Sequence, residues 1–294
     1  MQTDATRTFE LHRSSLLGVA YRMVGQVADA EDIVQEAWLR WSTVDAAEVA
    51  DPKAFLIRVT TRLAIDRLRR LKARRESYVG EWLPEPIPTE TITSAATDPE
   101  AAVVHAESLS MAMLVVLETL SPLERAVYVL REAFGYSHVE IATIIGRSES
   151  AVRQLWVRAS RHVDARRRRF ETDPSALRDV AHRFMVASRE GDVEALLRLL
   201  APEVELVADG GGLVRAPLHP VHGADRVTRF LLASAGRMTT DQRVALLDLN
   251  GDPAIVTWTG ATMIAAATLE IAHGRVQRIL LVANPEKLRA VRPP

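Results

Sequence analysis

Cysteine is absent from all 294 residues, so disulfides and thiolate-bound zinc are excluded. The eight histidines are scattered without a recognisable metal-ligand spacing, and no cofactor is expected. Long apolar runs are missing too. None approaches the roughly 20 residues that span a bilayer, and Met1 to Arg22 lacks the basic start and apolar centre of a signal peptide. The expectation is a cytoplasmic protein with no membrane partner. There is no internal repeat. Net charge is nearly absent at −1, and 48% hydrophobic with 26% charged residues is ordinary for globular protein, so wholesale disorder is excluded. At about one domain per 100 to 150 residues, the length predicts two or three modules.

The small net charge conceals an uneven distribution. Arg58 to Arg75 holds Arg58, Arg62, Arg67, Arg69, Arg70, Lys72, Arg74 and Arg75 against only Asp66, and Arg153 to Arg169 holds seven arginines against only Asp164. One such run is as readily a solvated helix face as a binding surface. Two runs, each beside a motif, point to nucleic acid.

From Thr8 to about Arg75 the pattern is helical. Ala30, Ile33, Val34, Ala37, Trp38 and Trp41 form one apolar stripe, with Asp29, Asp32 and Glu36 expected on the opposite face. A further helix opens at Asp51-Pro52 and is expected to turn Phe55, Val59 and Leu63 inward. Tyr78 to Pro99 is rich in proline and threonine and reads as a linker. Within it, Trp82-Leu83-Pro84-Glu85-Pro86 places a large aromatic in a stiff extended stretch, either a docking peptide or a Trp folded back on a neighbouring helix. Helical patterning resumes at Asp98-Pro99 and restarts at Ser121-Pro122. After Thr172-Asp173-Pro174 comes a helix, then another through Ala195 to Leu200. Alternating runs follow near Val204–Val207, Val244–Leu249, Ala254–Thr259, Met263–Ile271 and Arg275–Val282, an α+β domain.

Residues 137 to 163 are the most informative. Ser137 and Glu140 form a capping box, Val139, Ile141, Ala142 and Ile145 are expected inside, and Gly146 stops the helix. Ser148 caps a second helix with Val152, Leu155, Ala159 and Val163 inward and Glu149, Ser150, Arg153, Gln154, Arg158 and Arg161 outward. Two short helices joined through glycine, the second bearing hydrogen-bonding side chains, match a helix-turn-helix, and Arg153 and Gln154 are the candidates for base reading. The bland alternative is a helical hairpin with a charged exterior. Arg166 to Arg169 are candidates for phosphate or linker contacts.

These segments together resemble an extracytoplasmic-function sigma factor of the minimal type with regions two and four. Asp29-Ala30-Glu31-Asp32-Ile33-Val34-Gln35-Glu36-Ala37-Trp38-Leu39-Arg40 resembles the helix that docks on core RNA polymerase, which implies polymerase contacts from Asp29, Asp32, Gln35 and Glu36. Pro52 to Arg69 resembles the part that opens and reads the −10 element, implying DNA contacts from Arg58, Arg62, Arg67, Arg69 and Arg70. Leu120-Ser121-Pro122-Leu123-Glu124-Arg125 with the helix-turn-helix resembles region four, which reads the −35 element, implying contacts from Ser150, Arg153, Gln154 and Arg158.

The remainder is similar to a subgroup whose C-terminal extension is a SnoaL-like cone-shaped α+β barrel, of the kind that binds small molecules. The resemblance implies a multi-domain chain: region two over 1–77, a linker over 78–99, region four over 100–170 and the extension over 171–294. Its three marker motifs match Trp82 to Pro86, Asp209-Gly210-Gly211-Gly212 and Asn284-Pro285-Glu286-Lys287-Leu288. The subgroup's glycine motif ends in Lys, whereas this chain has Leu213. The resemblance implies that the extension replaces a separate anti-sigma protein, and the expected arrangement has the glycine loop and Asn-Pro tail contacting Trp82 to Pro86. Two other readings compete. One is an enzyme in the extension using Asp209, His219 and His222. The other is a DNA-binding factor independent of polymerase, against which the acidic face of Asp29, Asp32 and Glu36 argues.

Overall fold

The computed structural model describes residues 2–45, 48–75, 77–93, 109–166, 173–289 and 291. Asp98-Pro99 and Arg167 to Arg169 lie outside the described residues. Contacts divide the chain into two compact units: the described parts of Met1–Glu76, Glu90–Leu109 and Met113–Arg167, and those of Ser77–Thr89, Ser110–Ala112 and Arg168–Pro294.

The first unit is helical. It runs α1 (Gln2–Val24), α2 (Val27–Ser42), α3 (Pro52–Arg75), the short α4 (Glu90–Thr93), α5 (Met111–Glu118), whose first two residues fall in the second unit, α6 (Pro122–Tyr128) continuing as a π-helical turn Val129–Ala133, α7 (His138–Ile145) and α8 (Glu149–Arg166). Helices α1, α2 and α3 pack mutually around Leu16, Val19, Ala20, Met23, Ile33, Val34, Ala37, Leu56, Ala64 and Leu68. Trp41 is fully buried, with its indole N–H donating to the Ala5 carbonyl at 2.9 Å and its ring tilted against Phe55. Removing a buried aromatic of this size costs about 3–5 kcal/mol.

Two expectations about faces are corrected. On α3 the buried positions are Leu56, Ile57, Thr60, Thr61, Ala64, Ile65, Leu68 and Leu71, whereas Phe55, Val59 and Leu63 are half-buried. The small Thr60, Thr61 and Ala64 let the helices approach closely, so the inward face is centred on residues that a hydrophobicity stripe passes over. On α2, Asp29 is buried at 7% exposure and ion-pairs with Arg67, because it stands beside Ala30 and Ile33 on the packed side.

The second unit holds α9 (Pro174–Glu190), α10 (Val193–Leu199), α11 (Ala224–Ala235) and a six-stranded sheet. Its strands are β1 (Leu200–Asp209), β2 (Val221–His222), β3 (Gln242–Leu249), β4 (Asp252–Thr259), β5 (Thr262–Ala272) and β6 (Arg275–Val282). Their order is β2-β1-β6-β5-β4-β3, antiparallel except for the parallel pair β1 and β6. Val180, Ala181, Phe184, Leu196 and Val227 from the helices meet Val204, Leu206, Ala208, Leu269, Ile271 and Ile279 of the sheet. Because side chains alternate along a strand, Glu205, Val207 and Asp209 point to the opposite face. Asp173 caps α9, accepting from the Ser175 N–H at 2.9 Å. Two elements, α11 and β2, were not expected: α11 begins after Gly223 with no side-chain cap, and β2 is only two residues long. Among the described residues no helix is long and apolar enough to cross a membrane.

Candidate functional site

In the first unit the helix-turn-helix is built by local hydrogen bonds. The Glu140 N–H donates to Ser137 Oγ at 3.3 Å and the Ser137 N–H to Glu140 Oε2 at 2.7 Å, closing the capping box. Gly146 ends α7 at φ 67°, ψ 48°, and the Arg147 N–H reaches the Ala142 carbonyl at 3.0 Å, a left-handed stop that suits glycine. Ser148 Oγ accepts from the Ala151 N–H at 3.3 Å at the start of α8. Val152, Leu155, Ala159 and Val163 are buried, while Ser150, Arg153, Gln154 and Arg158 are exposed. On α7 the inward residues are Ile141, Ala142 and Ile144, whereas Val139, expected inside, points outward at 58% exposure and Ile145 is only half-buried.

The outer side chains of α8 are ordered by neighbours. Arg153 pairs with Glu149 one turn earlier, its Nε 3.0 Å from Oε1. Arg158 donates to Glu124 of α6 at 3.1 Å, and the Trp156 indole N–H donates to Glu132 at 3.1 Å with its ring edge-on to His138. Among the described residues Gln154 has no such brace. An α-helix of this length, about 27 Å, presented by its N-terminal turns can lie in a major groove.

The basic residues of α3 have distinct surroundings. Arg58 stands over the Phe55 ring at 5.3 Å, Arg67 pairs with buried Asp29 and lies 3.7 Å from Asp32, and Arg69 pairs with Asp66 at 3.0 Å. Arg70 Nε donates to the Asp66 carbonyl at 3.4 Å. Arg62 donates through Nε to the Ile144 carbonyl at 2.8 Å. Asp32, Gln35 and Glu36 are exposed on α2, and Glu36 pairs with Arg40 at 3.2 Å.

In the second unit a different cluster converges on the segment Ser77–Thr89. Asp209, fully buried at the end of β1, uses both carboxylate oxygens. Oδ1 accepts from the Tyr78 hydroxyl at 2.6 Å and the Gly211 N–H at 3.0 Å, and Oδ2 from the Leu83 N–H at 2.9 Å and Lys287 Nζ at 2.6 Å. Lys287 also donates to the Leu83 carbonyl at 2.5 Å, and its ammonium lies 4.0 Å from the Trp82 ring centroid and 5.1 Å from that of Tyr78. One carboxylate and one ammonium therefore satisfy both backbone groups of Leu83, and the aromatic faces stabilise the buried cation. Burial, and then the hydrogen bond to Asp209, push the Tyr78 hydroxyl well above its usual range.

The marker segments complete this clasp. The Ala283 and Asn284 N–H groups donate to the Asp209 carbonyl at 2.8 and 2.9 Å, and Asn284 Nδ2 reaches the Tyr78 hydroxyl at 2.8 Å. Asn284 caps the 3-10 turn Pro285–Lys287, which aims Lys287 inward while Pro285 stays exposed and Leu288 is buried. Gly210 has no room for a side chain, with the Val214 carbonyl 2.9 Å from where a Cβ would lie. At Gly211, φ 62°, a Cβ would sit 2.3 Å from Asn284 Nδ2, and at Gly212 it would sit 3.1 Å from Val79. Leu213 is 58% exposed and takes no part; the ammonium paired with Asp209 is that of Lys287. Leu83, Pro84, Glu85, Pro86 and Ile87 are buried.

A second anchor escaped the sequence reading. The Ile87 N–H donates to Asn250 Oδ1 at 3.0 Å and the Asn250 N–H to the Ile87 carbonyl at 2.9 Å. The Thr89 N–H reaches the Asp248 carbonyl at 3.1 Å, and the Gly251 N–H donates to Thr89 Oγ1 at 3.0 Å. The β3–β4 turn thus accepts the segment much as a sheet edge accepts an added strand. The signal available was Asn250-Gly251, a hairpin dipeptide, but nothing in it announces a partner. Tyr78 was missed for the same reason, as an unremarkable aromatic at the linker's start.

The acid–base reading of the extension does not match this geometry. The Asp209 oxygens are occupied by four donors, and His219 and His222 are exposed. Among the described residues no cluster of three or more histidine and carboxylate side chains could hold a metal.

Comparison with known proteins agrees with the helical units. The Sigma-70 region 2 family model matches residues 8–75, and the Sigma-70 region 4 model matches residues 110–163. The chain is 40% identical over 291 residues to the ECF RNA polymerase sigma factor SigJ of Mycobacterium tuberculosis, covering 95% of this chain and 91% of that protein. It is 32% identical to the probable ECF RNA polymerase sigma factor SigI of the same species, covering 96% and 93%. The crystal structure of M. tuberculosis SigJ superposes with a TM-score of 0.74 at 38% identity, covering 97% of this chain and 98% of that one. With both sigma regions matched and the likeness running through the α+β unit, the chain belongs to the extracytoplasmic-function RNA polymerase sigma factors, the proteins that direct RNA polymerase to promoters.

Proposed function

We propose that this sigma factor engages core RNA polymerase through the exposed Asp32, Gln35 and Glu36 of α2, with Asp29 acting from beneath as the brace that fixes Arg67. The −10 element is contacted by Arg58, Arg62, Arg67, Arg69 and Arg70, and the −35 element by Ser150, Arg153, Gln154 and Arg158. Gln154 and Arg153 read base edges, which is worth roughly 1–3 kcal/mol of discrimination per good contact; the others add salt-sensitive affinity for phosphates.

The C-terminal unit is the regulator in this reading and takes the place of a separate anti-sigma protein. What carries the proposal is the Leu83 clasp: a buried carboxylate and a buried ammonium hold the segment between the two sigma regions by its backbone. The hold is intramolecular, so it acts at high effective concentration and limits the arrangements open to the flanking regions without a second protein. A small molecule bound in the α+β unit would shift the equilibrium only by preferring one clasp state.

The test is reconstituted initiation. Purified protein added to core RNA polymerase and a promoter library yields defined start sites, lost with Asp32→Lys and with Arg153→Ala. Truncation at Val282, which removes Asn284 and Lys287, changes promoter output. A full-length chain that fails to bind core polymerase would overturn the assignment of Asp32, and truncated protein with unchanged output would overturn the regulatory role.

A further inference from the structure

Among the described residues, helix α3 makes polar contact with the helix-turn-helix through Arg62. Arg62 donates through Nε to the Ile144 carbonyl at 2.8 Å and through a terminal nitrogen to the Thr143 carbonyl at 3.4 Å. These carbonyls belong to the last turn of α7, where backbone acceptors have no helical partner and the dipole favours a cation. Gly146 makes room: a Cβ there would lie 3.3 Å from Arg62 NH2. Two further cations reinforce the closure. Lys72 Nζ donates to the Leu120 carbonyl at 2.5 Å, and buried Arg125 Nε donates to the Arg22 carbonyl at 2.8 Å. The Arg62 contact lies immediately before the turn that starts α8, next to the N-terminal residues of the recognition helix, the end that faces bases in a helix-turn-helix complex.

We infer that Arg62 is a two-position residue: in the free chain it latches the region-two bundle onto the C-terminus of α7, and it exchanges those carbonyls for DNA phosphate when the two regions separate on polymerase. The second half rests on the DNA role proposed above; the first half does not. A guanidinium whose Nε–H is committed to a carbonyl cannot present that edge bidentately to a phosphate, so the two positions exclude each other. Arg62 itself bonds backbone carbonyls, and a phosphate, being an ionised acceptor, makes the stronger charge-assisted bond.

The chain contains no cysteine, so spin labels at Leu39→Cys and Val139→Cys, both exposed, report the separation of α2 from α7 in full-length protein. The expected result is one short-distance population for the otherwise native chain, a several-fold larger long-distance population with Arg62→Ala, retention of the short one with Arg62→Lys, and a shift to long distances when core polymerase is added. Superimposable distributions for Arg62→Ala and the parent would overturn the latch, as would an unchanged distribution on polymerase. Promoter initiation read in parallel separates the two halves. Opening with unimpaired initiation sinks the DNA contact and leaves the latch; lost initiation without opening does the reverse.

Discussion

Lys287 Nζ lies 2.6 Å from Asp209 Oδ2, and the two side chains are 1% and 0% exposed. A buried pair of this kind is sensitive to the loss of one member, because the survivor is left as an uncompensated charge; the usual cost is about 3–5 kcal/mol. Lys287→Met should therefore destabilise the second unit by that order in urea unfolding. The double change Asp209→Asn with Lys287→Met should lose less than the sum of the single losses. Additive losses would mean the pair is not coupled.

Gly211→Ala acts through space rather than charge. The new Cβ falls 2.3 Å from Asn284 Nδ2 at a backbone φ of 62°, so either the loop or the tail must move. Protease cleavage within Ser77–Thr89 should accelerate in this variant, and should stay slow in the exposed control Leu213→Ala. Equal rates would contradict the packing described.

The β3–β4 turn carries a pH dependence. Burial first, then the negative charges of Glu270 and Asp248, raise the Asp252 carboxyl to about 7 from an unfolded value of 3.8. A raised acid binds its proton more tightly in the folded state, so stability is fullest below the unfolded value and declines as pH rises to about 7. Asp252→Asn should flatten that slope and stabilise the protein by a few kcal/mol at pH 8 but hardly at all at pH 4, as read by thermal unfolding across pH. A variant with the parent's slope would refute the assignment.

Local rules made the first unit legible. The capping box at Ser137 and Glu140, the glycine stop at 146 and the inward row Val152, Leu155, Ala159 and Val163 are all short-range, and the structure holds each of them. Where reading failed, packing had overridden periodicity. Thr60 and Thr61 are fully buried on α3 although neither is hydrophobic, and Asp29 is inside because Arg67, 38 positions away, accompanies it. The clasp was legible only as three marker segments. Their geometry depends on Tyr78 and Asn250, whose partners are 131 and 163 residues distant, and no local pattern encodes such pairs.

The base reading proposed for α8 yields a prediction of its own. Gln154→Ala should weaken a single promoter position by about 1–3 kcal/mol and leave binding to unrelated DNA unchanged. Arg158→Ala should weaken all sequences alike and reduce the salt dependence. A binding-selection experiment with randomised −35 sequences distinguishes the two, and identical profiles for both variants would contradict the division of roles.

The central claim is that the C-terminal unit controls initiation by gripping Leu83. Tyr78→Phe tests it most directly, since it deletes the hydroxyl that bonds Asp209 and Asn284 and leaves the ring beside Lys287 in place. Transcription with core polymerase should change several-fold relative to the parent, in the same direction as truncation at Val282, while the unfolding of the second unit shifts by about 1–3 kcal/mol. Initiation indistinguishable from the parent in both Tyr78→Phe and the truncated chain would contradict the claim.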